Sequence, residues 1–176
     1  MSENQQPERK TWTMLKIAKP EIPFNENIFP FFTSNNPVTD EWGTWSLDYN
    51  SSPSNTPAFR VFDESDSLWW CVRCWDSSVP IWVEIQLPEG YGICPYKMTY
   101  SGEGKTISLL GYDPIEEKYD TLYTGKNGTA YVKDFIYSDP ECTKYYTRFR
   151  ISCMGSYGYT VACEYCKCLS GKIKKL

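Results

Sequence analysis

Histidine is absent from this chain of 176 residues. That removes the imidazole base of Ser-His-Asp and Cys-His catalysis, and with it His-ligated zinc. A surplus of basic residues is missing too: 18 Lys and Arg stand against 22 Asp and Glu, a net charge of −4. Phosphate contacts need clustered cations, so nucleic acid is not expected as a partner. Long apolar runs are lacking. The most apolar early patch, Ile28-Phe29-Pro30-Phe31-Phe32, is far too short to cross a bilayer. The polar start from Met1 to Lys10 has no apolar stretch of the secretory kind. The expectation is a chain made in a cytoplasm without a signal peptide and without membrane insertion. Paired carboxylates occur at Glu116-Glu117, but on a charged turn, so no enzyme is expected.

Aromatic residues, by contrast, are plentiful: 7 Trp, 14 Tyr and 8 Phe make up 16% of the chain. With 41% apolar residues the chain can bury a core. Ile81, Val83, Ile85 and Leu87 alternate with Trp82, Glu84 and Gln86, which predicts a half-buried strand. Tyr145, Thr147, Phe149, Ile151 and Cys153 alternate with Tyr146, Arg148, Arg150 and Ser152 in the same way. Shorter runs predict strands near 68–75, 93–101, 105–111, 118–124, 129–136 and 158–168. Turn signals such as Pro88-Glu89-Gly90 and Gly155-Ser156-Tyr157-Gly158 separate them. About eight short strands without an amphipathic helix predict an all-β sandwich or jelly roll. Residues 1–10 read as a disordered leader. Residues 11–40 read as an extended, Pro- and Phe-rich docking segment, applied either to the domain itself or to a larger assembly. The sandwich is placed at 41–171, and 172–176 form a small basic tail.

Eight cysteines lie at 71, 74, 94, 142, 153, 163, 166 and 168. The reading taken is free thiols, several packed as small apolar residues. Four-thiolate zinc through Cys71-x2-Cys74 and Cys163-x2-Cys166, and disulfides, are the alternatives. Against zinc, each pair sits in a predicted strand, where residues three apart point to opposite faces.

Several segments carry a resemblance. They are Pro57-Ala58-Phe59-Arg60-Val61-Phe62-Asp63, followed by Trp69-Trp70; Pro80-Ile81-Trp82-Val83-Glu84-Ile85-Gln86-Leu87; Ile107-Ser108-Leu109-Leu110-Gly111-Tyr112-Asp113; Lys144-Tyr145-Tyr146-Thr147-Arg148-Phe149-Arg150-Ile151; and Val161-Ala162-Cys163-Glu164. In order and spacing they resemble the discoidin domains, also called coagulation factor 5/8 type C domains, over about residues 41–171. Glu64 departs from the family's Gly after Phe-Asp, and no cysteine before Cys71 could make the family's terminal bridge. The resemblance implies a jelly-roll sandwich of the galactose-binding-like kind; Trp69, Trp70 and Trp82 are read as core because large aromatics are mostly buried. It implies a non-catalytic, lectin-like site in loops at one end, which by position holds Tyr49, Arg73, Trp75, Asp76 and Tyr157. It also implies a structural calcium ion held by Asp63, Asp66, Ser67 and Glu164, whose hard oxygens suit Ca2+. The stretch Pro30-Phe31-Phe32-Thr33-Ser34-Asn35-Asn36-Pro37 with Gly43-Thr44-Trp45-Ser46 resembles the leading segment of discoidin-like domains in bacteriophage fibres. That implies display on a virion, glycan or cell-surface polysaccharide as ligand, and virion subunits contacted through 11–40. Assembly as a homo-oligomer stays open. The alternative is a structural decoration protein that uses the same sandwich and binds no glycan.

Overall fold

Two antiparallel sheets take up the alternating segments. The computed structural model describes residues 20–63, 65, 68–125 and 132–176, with residues 132–135 described by their backbone alone. In chain order the strands are β1 (Ile22–Phe24), β2 (Val38–Asp40), β3 (Gly43–Tyr49), β4 (Trp70–Arg73), β5 (Ile81–Gln86), β6 (Tyr91–Glu103), β7 (Thr106–Asp113), β8 (Lys118–Gly125), β9 (Val132–Ser138), β10 (Arg148–Met154) and β11 (Thr160–Lys175). One sheet has the order β1-β11-β6-β9, with β4 also paired to β11. The other has the order β2-β3-β5-β10-β7-β8. A 3-10 turn at Ala58–Phe62 sits between β3 and β4.

The core fills the space between the sheets. β5 contributes Ile81, Val83 and Ile85, and β10 contributes Phe149, Ile151 and Cys153. From the other sheet come Ile93, Met98 and Tyr100 of β6 and Val161, Cys163, Cys166, Cys168 and Ile173 of β11. Gly111, on β7, has a packing reason. A Cβ there would lie 2.7 Å from the Tyr146 ring, so only glycine lets that ring close over the strand.

Three expectations change on contact with the structure. Of the two docking partners left open for the Pro- and Phe-rich segment, residues 20–40 take the domain's own sandwich. Phe29 and Phe32 are buried in the core, β1 pairs with the end of β11, and β2 pairs with β3. Residues 1–19 lie outside the described residues. Second, the basic tail 172–176 is the end of β11 rather than a solvated terminus. Lys172, Ile173, Lys174 and Lys175 pair with Cys94, Ile93, Gly92 and Tyr91. Period two explains this: Ile173 points inward while Lys172 and Lys174 reach out to Glu21 at 3.2 and 3.8 Å. Third, Cys163 and Cys166 both face the core, although they are three residues apart. A β-bulge between Cys163 and Tyr165 resets the alternation.

Trp82 also lies elsewhere than expected. Trp70 is fully buried, but Trp69 is half-buried and Trp82, also half-buried, lies on the outer face of β5. The cause is the alternation itself, which sends Trp82, Glu84 and Gln86 away from Ile81, Val83 and Ile85. On that outer face Glu84 is 0% exposed. Arg150 Nε donates to Glu84 Oε2 at 2.9 Å, and Tyr119 Oη donates to the same oxygen. Arg150 also donates to Tyr119 Oη at 2.7 Å. Its guanidinium lies 3.6 Å from the Trp82 ring centre and 4.3 Å from that of Tyr119. A buried carboxylate is tolerated when a cation and hydrogen bonds meet it together. Arg150→Met leaves Glu84 without its cation and should lower the unfolding free energy by about 3–5 kcal/mol in urea titration. Adding Glu84→Gln should recover most of that loss. Wild-type stability for Arg150→Met alone would show that the pair contributes nothing.

The buried thiols set the alkaline limit. Burial raises the Cys153 thiol from 9.0 to about 12, and Cys163, Cys166 and Cys168 are raised by the same cause. Burial, then the Glu84 carboxylate, raises Tyr119 from 10.0 to about 12. A raised folded-state pKa means stability that is complete below the unfolded value and lost as pH climbs through the folded one. The urea midpoint should therefore hold to about pH 9 and fall steadily towards pH 12. A midpoint unchanged at pH 11 would refute the burial of these groups.

Candidate functional site

One end of the sandwich gathers most of the sequence-predicted ligand residues. β4 runs out at Arg73, and β11 begins at Thr160, its pairing partner. The pairing continues past the strands. Cys74 N donates to Tyr159 O and Gly158 N donates to Cys74 O, each at 2.8 Å. The segments at 74–79 and 155–159 are thus clamped together by backbone. Gly158 has φ +81, a left-handed conformation that favours glycine. Tyr159 N closes the turn on Ser156 O at 3.0 Å.

This clamp brings Trp75 and Tyr157 side by side, with ring centres 6.0 Å apart and planes at 69°. The edge-to-face arrangement is a favoured one for aromatic pairs. The Arg73 guanidinium lies 4.8 Å from the Trp75 ring centre. Trp75 is 63% exposed and Tyr157 67%, so both offer open ring surface. Asp76 shapes the adjoining loop: its Oδ1 accepts from Ser78 N at 2.9 Å and Ser78 Oγ at 2.6 Å. Those bonds, the side-chain one foremost, hold its carboxyl below the usual range. The Cys74 thiol donates to Asp76 O at 3.3 Å. Arg73, Trp75, Asp76 and Tyr157 therefore form one surface.

Tyr49 does not join them. It ends β3 rather than lying in the following loop, and its ring packs half-buried against the core. Its hydroxyl accepts from Asn35 Nδ2 at 3.4 Å. The alternation that turns Trp45 and Leu47 inward turns Tyr49 inward as well. Tyr159, 67% exposed, is a neighbour that the sequence reading assigned to a strand. Its position directly after Gly158 was the signal for a loop residue.

The residues implied for calcium are only partly described, since Asp66 and Ser67 lie outside the described residues. Asp63 Oδ1 accepts from Ser65 N at 2.9 Å, and Oδ2 faces the Arg60 guanidinium at 3.3 Å. Glu164 is buried on β11, where Ser101 Oγ donates to it at 3.2 Å. Among the described residues no three His, Cys, Asp or Glu side chains come together as a cation cage. Cys71 faces away from the core that holds Cys74, Cys163 and Cys166, so the four do not converge as a zinc site would require.

No family model matches the sequence, and no curated protein matches it. Solved structures do. A family 32 carbohydrate-binding module of C. perfringens NanJ, in complex with galactose, superposes with a TM-score of 0.54 at 9% identity. The match covers 73% of this chain and 93% of that one. A chitosan-binding module from a Paenibacillus chitosanase/glucanase gives 0.53 at 13% identity, covering 69% and 92%. The F5/8 type C domain of a Bacteroides fragilis protein gives 0.51 at 11%, covering 75% and 93%. The fold is discoidin-like. In this discoidin-like domain the resemblance seen in the scaffold motifs and the backbone agree. The exposed Trp75–Tyr157 surface lies at one end, where β4 hands over to β5 and β10 to β11.

Gly158→Ala tests the clamp. A Cβ there meets nothing within 4 Å, so the cost is conformational alone, about 1 kcal/mol. A small drop in melting temperature is expected. A stabilised variant would show that the left-handed turn is absent in solution.

Proposed function

We propose that this domain is a non-catalytic carbohydrate-binding module whose site is the Arg73, Trp75, Asp76 and Tyr157 surface. The observation that supports it most is the pair of solvent-open rings held rigidly by the backbone clamp. Sugar rings present C–H faces that stack on flat aromatics, and their hydroxyls need a few fixed polar groups. Trp75 and Tyr157 supply the first. The Arg73 guanidinium and the Asp76 carboxylate supply donors and acceptors beside them. The solved domains that share the fold include modules bound to galactose and to GalNAc, which supports the ligand class. A calcium ion at Asp63 would share the carboxylate with the Arg60 guanidinium, 3.3 Å from Oδ2, and the proposed sugar site makes no use of one.

The setting follows the same reading: display on a phage particle, with host-surface glycans as ligands. It is supported by the resemblance of residues 30–46 to fibre domains. Attachment to other virion subunits then falls to residues 11–19, because residues 20–40 are spent on the domain's own sandwich.

A shallow site stacking one or two rings should bind on the order of 0.1–1 mM, about 4–5.5 kcal/mol. Useful avidity would need several copies displayed together. Trp75→Ala should abolish binding on a glycan array probed with a multivalent display, while leaving the melting temperature unchanged. An unfolded Trp75→Ala protein would make Trp75 scaffold. An array with no bound glycan for the multivalent wild type would replace this reading with structural decoration.

A further inference from the structure

We propose that Cys94 and Cys142 are a disulfide-forming pair, closed by a small disulfide oxidant such as glutathione disulfide. The geometry brings these two residues into direct contact. The segment joining β9 to β10 runs back against β6 and is fastened to it on both sides of Cys94. Asp139 N donates to Tyr96 O at 2.9 Å, and Tyr146 and Ile93 exchange backbone bonds at 2.8 and 2.9 Å. Cys142 lies between those two anchors. The Cys94 thiol already donates to the Cys142 carbonyl at 2.8 Å. The Cys142 thiol, in turn, donates to Lys144 O at 3.4 Å. One sulfur thus sits against the other residue's backbone, and a rotation about the Cys142 side-chain bond brings the second sulfur to it.

Accessibility singles out Cys142 as the entry point, while its partner Cys94 is itself buried. Cys142 is half-buried at the surface, whereas Cys74, Cys153, Cys163, Cys166 and Cys168 are sealed in the core. Cys71 is half-exposed but faces Ala162 across the β4–β11 pairing, not another cysteine. An oxidant therefore reaches Cys142 first. Its thiolate attacks glutathione disulfide, forming a mixed disulfide and releasing one glutathione thiolate. The Cys94 thiol then loses its proton and attacks the Cys142 sulfur, expelling the second glutathione. Two protein thiols are oxidised, one glutathione disulfide is reduced, and both protons end on glutathione. Burial and the adjoining Cys142 push the Cys94 thiol well up, so the closing step should quicken as pH rises.

The consequence is a covalent tie between β6 and the segment that supplies Thr143, Lys144 and Tyr145 to a groove of about 960 Å³. That groove lies at the far end of the sandwich from the Trp75–Tyr157 surface. Reduced on synthesis and closed in an oxidising medium, the tie would harden the far end without touching the proposed sugar site.

The test oxidises the full chain with glutathione disulfide and maps its tryptic peptides by mass. A Cys94–Cys142 linked pair that dithiothreitol separates is expected, with the melting temperature raised by roughly 5–15 °C over the reduced protein. Cys142→Ser, a change at a half-exposed position, should abolish both effects while remaining folded. Cys94→Ser should leave Cys142 carrying glutathione. Wild-type protein that stops at glutathionylated Cys142, or bridges through any other cysteine, or gains no linked peptide, overturns the proposal.

Discussion

Every strand of the five-stranded sheet except β9 is hydrogen-bonded to β11. A strand of sixteen residues has backbone donors and acceptors on two edges, and each buried one needs a partner. β6 covers one edge over nearly its whole length, while β4 takes the start of the other edge and β1 takes its end. Over that length the strand departs from strict alternation at several points. The bulges at Cys163/Tyr165 and around Ser170 return Cys166, Cys168 and Ile173 to the core. Cysteine suits these positions because its small apolar side chain packs closely against the opposing sheet. The same burial makes the alkaline range costly.

Both ends of β11 are therefore rigid, and each carries a different surface. Its beginning continues into the clamp between Cys74 and Tyr159, which sets Trp75 and Tyr157 together. Its end reaches the groove walled by Lys174, Lys175 and Tyr145. Loops fixed by a scaffold are where binding residues belong. Here the fixing is literal: the loop following β3 is tied down as well, with Trp82 N donating to Asn50 Oδ1 and Trp70 Nε1 to Ser51 O.

Much of the scaffold was readable from residues alone. β5 and β10 announce themselves by alternation, and the ordered motifs point to the discoidin-like fold. What escaped has common physical causes. A bulge is one unpaired residue without a sequence mark, so Cys163 and Cys166 were assigned to opposite faces. Proline at 20, 23 and 30 forbids a long helix but does not forbid an extended chain laid over a core, which is what buries Phe29 and Phe32. Alternation separates the two faces of β5 without saying how covered each one is. The outward face would ordinarily be solvated, yet Glu84 is sealed there because Arg150, on the adjacent β10, and Tyr119, reaching over from β8, meet it. Tyr49 shows the converse, a plausible loop aromatic that the strand's parity turns inward. Arg73, Trp75, Asp76 and Tyr157 were placed by the family resemblance alone, and the β4–β11 pairing is what brings them to one surface.

The stacking in the proposed site also constrains how a sugar could enter. Arg73 covers one face of Trp75, and Tyr157 meets the same ring edge-to-face. Trp75 nevertheless keeps 63% of its surface open, which leaves ring surface for a C–H face. A ligand lying there finds the Tyr157 ring at a steep angle beside it, forming a corner rather than a flat platform. Such a corner needs little ordering on binding, since the aromatic pair and the backbone clamp already hold both rings. The rigidity that β11 imposes is thus what would turn two exposed aromatics into a site.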